Sequence, residues 1–299
     1  MLPQIIDAYR TCEFATLGKD GTPIAWPTSG IRTADGDFLL TTSLGYPQKA
    51  FNVRRDERVA LLFSDPTASA LDRPSQILVR GTATCAAQIH TEPTGDLGRF
   101  WSMILSRQPG SQRYLDWPVN RFIDFYFMRL LIKVTPTEVT VNELPEPAAP
   151  QDNGIIGSSV LSAYPTAVLA ACDASGAPTL MRTTVTSTAN GYQVAAPARF
   201  PDMTGPGSLL VHRHDDRLDN IHNAVVVGSL DDEGLLRPSR LIEPAGRLGG
   251  GPADLLRTMR NLRGTTNRYL DRRGLTRPAI PWPAYRMIRA AARSGRSTP

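Results

Sequence analysis

Short apolar runs alternate with turn residues along most of the chain. Residues 14–42 hold a short apolar run, a Gly-x-Pro turn, a strand-like segment with Thr and Ser, a second glycine turn and a further apolar run. Residues 168–197 repeat the arrangement. Apolar runs of this length, rich in β-branched residues and bounded by glycine, are typical of β-strands. The pattern therefore predicts two copies of one β-meander.

The turn glycines of the two copies match at one offset. Gly21 and Gly36 correspond to Gly176 and Gly191, and aspartate, serine or asparagine precedes each of them. Glycine accepts the positive φ that tight hairpin turns require, and Asp-Gly and Asn-Gly are the favoured pairs. We expect hairpin turns at all four positions.

The match resumes in later strands. Residues 77–82 resemble residues 225–229, and the first copy closes with the apolar run 130–141, which Pro136 interrupts. Closely spaced strands joined by glycine turns favour a closed barrel over an open sheet. Helices are predicted over 46–55, 94–106 and 253–272, the last with an apolar stripe of Leu255, Leu256, Met259, Leu262 and Leu270.

A proline-rich segment separates the copies. Residues 144–152 contain three prolines and lack apolar periodicity, which is typical of a stiff linker. The predicted domains are 1–143 and 153–299, and a length of 299 residues suits two domains of ordinary size.

Composition narrows the function classes. There is no run of 18 apolar residues, so no membrane span is predicted, and the N-terminus lacks a basic start before an apolar core, which favours the cytoplasm. Three distant cysteines form neither a disulfide framework nor a metal motif. The net charge of +5 is concentrated in arginines after residue 250, which indicate a solvated helix face or an amphipathic helix on an anionic surface. Without interleaved aromatic residues, no nucleic-acid partner is predicted.

The first half resembles the pyridoxamine 5'-phosphate oxidase-like FMN-binding split barrels of the flavin/deazaflavin oxidoreductase superfamily. The resemblance covers nearly all of residues 10–142 and is carried by segments 15–17, 20–23, 35–43, 49–62, 79–83 and 132–137. It implies a mainly β fold with a few helices, built as two tandem split β-barrels that form an intrachain pseudo-dimer. Further pairing into a homodimer stays open.

The resemblance implies a phosphate site on the first barrel. Thr41, Thr42 and Ser43 end a strand, and Gln48 and Lys49 open the next helix. Hydroxyls, backbone N–H groups at a helix N-terminus and a lysine charge suit a dianionic phosphate. Gln48 stands where the family often has arginine. An ordinary strand end with a solvated lysine is the alternative.

Further cofactor contacts are expected from Ser29, Gly30, Ile31 and Arg32, in the segment where relatives line the flavin ring. Gly30 suits a close approach, and Arg32 reaches either the cofactor or solvent. Arg80, within the matching motif 79–83, completes the predicted set.

The second half loses the phosphate pattern. Residues 198–207 contain two prolines and two glycines, which disfavour a helix there. A polar cluster holds His212 and His214 on one strand face. This cluster is an ordinary polar strand end, a wall of the cofactor site together with Arg182, or a metal or haem site. The ligand set looks incomplete, so no metal is predicted.

These features predict a flavin-dependent oxidoreductase that acts on an unknown small molecule, with one FMN per chain. The alternatives are an F420-dependent reductase and a non-catalytic flavin- or haem-binding protein. No side chain stands out as an acid or base, as expected where the cofactor supplies the chemistry. Catalytic residues are therefore not assigned.

Overall fold

The computed structural model describes residues 2–195, 203–243 and 252–294. In its first half, helix α1 (Leu2–Ala8) precedes a seven-stranded sheet. The strands are β1 (Cys12–Leu17), β2 (Pro23–Thr28), β3 (Gly30–Arg32), β4 (Phe38–Ser43), β5 (Arg58–Phe63), β6 (Ser75–Thr84) and β7 (Arg129–Glu143).

Helical segments interrupt this sheet twice. Helix α2 (Gln48–Arg55) joins β4 to β5, and an insert of residues 85–128 joins β6 to β7. The insert contains α3 (Gly95–Arg107), two short 3-10 helices (Pro109–Leu115 and Val119–Arg121) and α4 (Asp124–Phe127).

The second half repeats the sheet after a segment, 144–152, that forms neither helix nor strand. It contains a short helix, seven strands and two C-terminal helices. These are α5 (Ser158–Leu161), β8 (Ala167–Cys172), β9 (Pro178–Thr183), β10 (Val185–Thr188), β11 (Gly191–Val194), β12 (Gly205–Arg213), β13 (His222–Leu230), β14 (Leu235–Ile242), α6 (Pro252–Asp271) and α7 (Trp282–Arg293).

The two sheets have one topology. The first runs β2-β1-β5-β6-β7-β4-β3, and the second runs β9-β8-β12-β13-β14-β11-β10, so every strand has a counterpart in the same place. All the pairings are antiparallel. The chain is two tandem split β-barrels, which confirms the predicted fold class. The exact domain limits, 1–143 and 153–299, stay a prediction.

The repeat extends to an irregularity in each barrel. The β6–β7 register shifts between Arg80 and Gly81, and the β13–β14 register shifts between Val227 and Gly228. A Cβ on Gly81 would lie 2.2 Å from Thr135 O, and one on Gly228 would lie 2.1 Å from Arg237 O. Both bulges therefore need glycine because the partner backbone approaches too closely for a side chain.

One predicted hairpin turn is wrong in detail. Gly21, Gly36 and Gly176 have the expected positive φ, of 77°, 88° and 76°. Gly191 instead begins β11, paired with Thr188, and a Cβ there would lie 2.3 Å from Leu236 O. In the first barrel, the β3–β4 loop is closed by the hydrogen bond from Thr33 N to Asp37 O. It is one residue longer than the β10–β11 loop, which the Thr188–Gly191 pair closes. Gly36 and Gly191 therefore do not occupy equivalent positions, although the two sequences match there without a gap.

Three apolar clusters give the halves their cores. One fills the first barrel around Phe14, Leu61 and Ile132, and another fills the second barrel around Tyr192 and Leu209. The third lies between the barrels and joins residues of both halves, among them Ala15, Leu62, Leu78, Leu180, Leu210 and Val225. The two halves are thus docked within one chain, as the predicted pseudo-dimer requires.

The C-terminal helices pack against the first barrel's insert. Tyr285 and Ile288 of α7 lie in one cluster with Phe100 and Trp101 of α3. Of the predicted stripe on α6, Met259, Leu262 and Leu270 pack against the first half, whereas Leu256 is 68% exposed. Within the described residues, no helix is long and apolar enough to cross a membrane.

Candidate functional site

A cavity of about 200 Å³, called here the seam cavity, lies where the two barrels and the insert meet. The first barrel contributes the end of β2, Thr41 and Arg129, and the second contributes residues of β12 and β13. The insert closes it with the side chains of Phe100, Ile104 and Tyr126.

Thr41 and Ser43 face the insert from β4. They occupy alternate positions on that strand, and Ser43 pairs with Arg129 across the β4–β7 ladder. The hydroxyls of Thr41 and Ser43 and the Nε of Arg129 are buried without hydrogen-bond partners among the described residues. Buried polar groups are normally paired, so three unpartnered ones on neighbouring positions indicate a place for a ligand.

Arg129 is the most informative of these residues. It is only 7% exposed, and its guanidinium stacks over the rings of Trp101 and Tyr126, at 4.8 and 4.3 Å from their centroids. It forms no ion pair with any described residue. Stacking holds the cation in place and leaves its charge available to an anion.

Lys49 lies near this cation. Burial lowers the pKa of the Lys49 amine to about 8; the nearby Cys12 thiol opposes this shift and the like charge of Arg129 adds to it. Lys49 forms no hydrogen bond or ion pair with the part of the chain that the structure describes, and it does not line the seam cavity itself. An anion between Lys49 and Arg129 would stabilise both charges.

Two predicted phosphate residues have local partners. The Thr42 hydroxyl donates to Tyr46 O at 2.5 Å, within the turn between β4 and α2. The Gln48 Nε2 donates to Asn52 Oδ1 at 2.8 Å, one turn along the helix. The Thr42 bond therefore stabilises the turn that follows Ser43, and the Gln48 bond stabilises the first turn of α2, which carries Lys49.

The predicted ring segment divides between two cavities. Ser29 lines the seam cavity, and its hydroxyl donates to Arg10 O at 3.3 Å. Gly30, Ile31 and Arg32 line a larger cavity at the mouth of the first barrel. The close approach at Gly30 is to β4, since a Cβ there would lie 2.3 Å from the Leu40 side chain.

Arg80 lies apart from both cavities. Its guanidinium contacts Glu138, at 3.4 Å, and Asp173 of the second barrel. This arginine therefore links the barrels at the β6 bulge, away from Thr41 and Arg129.

Arg182 and His212 of the second barrel, two of the residues predicted to form a wall of the cofactor site, both contact Glu13 of the first barrel. Glu13 is fully buried, and its Oε1 accepts from Arg182 Nη2 at 2.8 Å and lies 2.6 Å from His212 Nε2. The Ser64 hydroxyl donates to the other carboxylate oxygen at 2.9 Å. Burial alone would raise the pKa of Glu13, but Arg182 and His212 outweigh it and hold that pKa below its usual value.

His212 and His214 both reach the seam cavity. His214 Nε2 lies 3.2 Å from Thr11 Oγ1, and both imidazoles face Asp65, at 3.7 and 3.5 Å. The Nδ1 of His212 and the Oδ1 of Asn223 are buried without hydrogen-bond partners among the described residues. In the same described portion of the chain, no group of three or more His, Cys, Asp or Glu side chains could hold a metal ion.

Sequence reasoning missed Arg129 and Glu13. Arg129 directly precedes the apolar run 130–132, and its place opposite Ser43 depends on the β4–β7 register. Glu13 is an acid inside a strand whose other five residues are also buried. A charge within such a run was the available signal, because burial of an isolated carboxylate requires a cationic partner.

The chain has remote structural similarity to several solved proteins. No protein-family model and no curated protein matches the chain. A putative pyridoxamine 5'-phosphate oxidase from Listeria innocua is similar at 14% identity and a TM-score of 0.32, over 47% of this chain and 94% of that one. An F420 reductase is similar at 22% identity and a TM-score of 0.31, over 46% and 93%. The heme storage protein HutZ from Vibrio cholerae is similar at 13% identity and a TM-score of 0.31, over 47% and 92%. Each of these solved structures thus matches about half of the chain.

Proposed function

We propose that the chain binds a phosphate-bearing redox cofactor at the seam, with its phosphate between Arg129, Ser43 and Lys49. The observation that carries this proposal is Arg129, a stacked arginine at 7% exposure without an ionic partner in the described residues. A buried unpaired cation costs free energy, which an anionic ligand recovers.

FMN is the first candidate because the chain resembles flavin-binding split barrels in sequence. Its phosphate suits the donors present: a guanidinium, an amine and two hydroxyls that lack partners. Thr28, Ser29 and Thr41 from the first barrel and His212 and Asn223 from the second line the adjoining space, where a ring would lie.

The size of the seam cavity sets a condition on binding. Its volume is about 200 Å³, whereas sites for ligands of this size usually span about 300–1,000 Å³. Phe100 and Ile104 of α3 form one wall of the cavity and are buried in the cluster that packs α3 against α7. Binding of a whole flavin therefore requires the cavity to widen.

The proposed activity is that of a flavin-dependent oxidoreductase acting on a small molecule. The bound flavin would supply hydride or electron transfer. The chain would hold the phosphate and exclude water with the aromatic insert, while Arg182 and Glu13 keep the second barrel docked as the opposite wall.

Equilibrium titration with FMN tests the proposal, with F420 and haem as parallel ligands. Arg129→Met should weaken FMN binding by about ten- to a hundred-fold, since one charge-assisted contact contributes about 1.5–3 kcal/mol. Lys133→Met is the matched control: Lys133 lies on the same strand and pairs with Asp37, at 2.8 Å, with its side chain half exposed.

Equal FMN affinity for a folded Arg129→Met variant and the wild type would refute the assigned site. Tighter binding of F420 than of FMN, with the same loss in Arg129→Met, would keep the site and change the cofactor. Haem binding that is insensitive to Arg129→Met would favour a non-redox carrier.

A further inference from the structure

The mouth of the first barrel contains a second cavity, distinct from the seam cavity. This barrel-mouth cavity has a volume of about 480 Å³ and lies between α1, β3 and α3. Its volume falls within the range of about 300–1,000 Å³ that is usual for small-molecule sites. Thr11 lines both cavities, whereas the adjacent residues Ser29 and Gly30 line the seam cavity and the barrel-mouth cavity, respectively.

The floor of the barrel-mouth cavity is apolar. It consists of core side chains of the first barrel and one residue of α3, namely Ile6, Phe38, Leu40, Phe63 and Met103. Such a floor favours an apolar ligand body, because contact with it removes hydrocarbon from water.

The rim is cationic. Arg10, Arg32, Arg99 and Arg107 line it, and among the described residues Asp7 is the only carboxylate that lines the cavity. Arg32 pairs with Asp7 at 3.0 Å, and Arg99 pairs with Asp96 at 2.8 Å. Two arginine charges therefore remain without a carboxylate partner among the described residues.

Those two arginines are held in place by backbone carbonyls. Arg107 donates to Tyr9 O and Asp7 O, both at 3.1 Å, and Arg10 donates to Ala68 O at 3.0 Å. Burial, together with the like charge of Arg10, lowers the pKa of Arg107, and the nearby Asp7 carboxylate only partly opposes this shift. The Nε of Arg32 is also buried without a hydrogen-bond partner in the described chain. Positioned guanidinium groups of this kind bind planar or tetrahedral anions.

We propose that the barrel-mouth cavity binds an amphiphilic anion, with a carboxylate or phosphate head at Arg10 and Arg107 and a compact apolar body on the floor below. The ligand would neutralise two like charges and cover the apolar side chains in one step. This site is separate from the proposed phosphate position, since Ser43, Lys49 and Arg129 do not line it, although Thr11 lines both cavities.

Calorimetric titration of the full chain at constant ionic strength tests the inference. Octanoate and octyl phosphate are the probes, and the stronger of the two identifies the preferred head group. Octanol has the apolar body without charge, and acetate has the charge without the body; both should bind at least about ten-fold more weakly.

Arg107→Met and Arg10→Met should each weaken the stronger probe by about ten-fold or more. Arg113→Met, an exposed arginine outside both cavities, should have no effect. Because Arg107 also holds α1, Met103→Glu gives a second variant that opposes the anion without removing those hydrogen bonds. Arg129→Met should leave octanoate binding unchanged while it weakens FMN, which separates this inference from the proposed function.

Failure of both probes to bind the wild-type chain would overturn the inference. Equal affinity for octanol and octanoate, or an unchanged affinity in folded Arg10→Met and Arg107→Met, would overturn it as well.

Discussion

Glu13 of the first barrel and Arg182 of the second form a buried ion pair, with 2.8 Å between Glu13 Oε1 and Arg182 Nη2. Arg182 also donates to Ser64 Oγ, at 2.9 Å, and its backbone N–H donates to Gln76 Oε1 at the same distance. Arg182 of the second barrel therefore contacts β1, β6 and the residue that follows β5 in the first barrel, which makes this pair central to docking.

Glu13→Gln should lower the free energy of unfolding by about 3–5 kcal/mol, because it leaves Arg182 buried without its countercharge. Asp231→Asn is the control, since the Arg237–Asp231 pair is exposed and should contribute about 1 kcal/mol or less. Urea unfolding measures both. Similar losses in the two variants would contradict a special role for the seam pair.

The same seam predicts acid sensitivity. Burial opposes ionisation of Asp65 and Glu13, but Arg182 and His212 hold the pKa of each carboxylate below its usual value. Their contribution is therefore complete above the unfolded pKa values of about 4 and is lost as pH falls through the lower folded values. Urea unfolding between pH 6 and pH 3 should show a steep loss of stability that is shallower in Glu13→Gln. Parallel curves would contradict this.

The turns and helices were predictable because their causes are local. Gly21 and Gly176 sit in turns that need a positive φ, and the helix predicted over 46–55 is α2, Gln48–Arg55. The helices predicted over 94–106 and 253–272 are α3 and α6, Gly95–Arg107 and Pro252–Asp271.

The contacts at the seam could not be predicted from local sequence patterns. Glu13 and Arg182 are 169 positions apart, and Arg129 faces Ser43 only because β7 returns beside β4. Helix α7 was not predicted, and its packing on the insert joins the end of the chain to the first half. Of the segment 198–207, in which no helix is predicted, residues 203–207 are described and contain no helix, since β12 begins at Gly205. Residues 196–202 lie outside the described residues, so for 198–202 the lack of a helix stays a prediction.

Because of Lys49, the free energy of unfolding should increase as the pH becomes alkaline. The pKa of its amine is about 8 in the folded chain, below the unfolded value of about 10.4. The unfolded state therefore binds more protons between these values, and the free energy of unfolding should rise across that window.

Lys49→Met should abolish this rise and increase stability at pH 7, by no more than about 3 kcal/mol. The same variant should weaken FMN binding, and wild-type affinity should fall as pH increases through 8. Chemical unfolding at pH 7 and pH 10, together with FMN titration, measures these effects. Parallel stability changes with pH in wild type and variant would show that Lys49 is not responsible.

The two bulge glycines should be equally intolerant of a side chain. Gly81→Ala and Gly228→Ala should each cost about 1–3 kcal/mol, because the new Cβ meets a partner-strand carbonyl at 2.2 or 2.1 Å. Gly264→Ala on α6 is the matched control: a Cβ there meets no atom within 4 Å and should stabilise the helix by up to about 1 kcal/mol. Thermal unfolding compares the three, and tolerance of alanine at either bulge would contradict the shared geometry.

The chain should bind one phosphate-bearing cofactor, although its two barrels share one topology. The bulges align Pro136, opposite Gly81, with Pro238, opposite Gly228. Arg129 precedes Pro136 by the same number of residues as Asp231 precedes Pro238, so Arg129 corresponds to Asp231.

Asp231 lies in the hairpin turn between β13 and β14, where it accepts from Leu235 N at 2.8 Å and from Arg237 Nη2 at 3.2 Å. Asp231 corresponds to Arg129, the cation proposed to hold the phosphate. Because a carboxylate repels a phosphate, the second barrel should not bind the cofactor in the same way. FMN bound per chain, measured by equilibrium dialysis on protein whose mass is known from light scattering, should approach one. Arg129→Asp, which gives the first barrel the residue of the second, should abolish that binding in a folded protein. Two flavins per chain, or binding retained in Arg129→Asp, would refute the asymmetry.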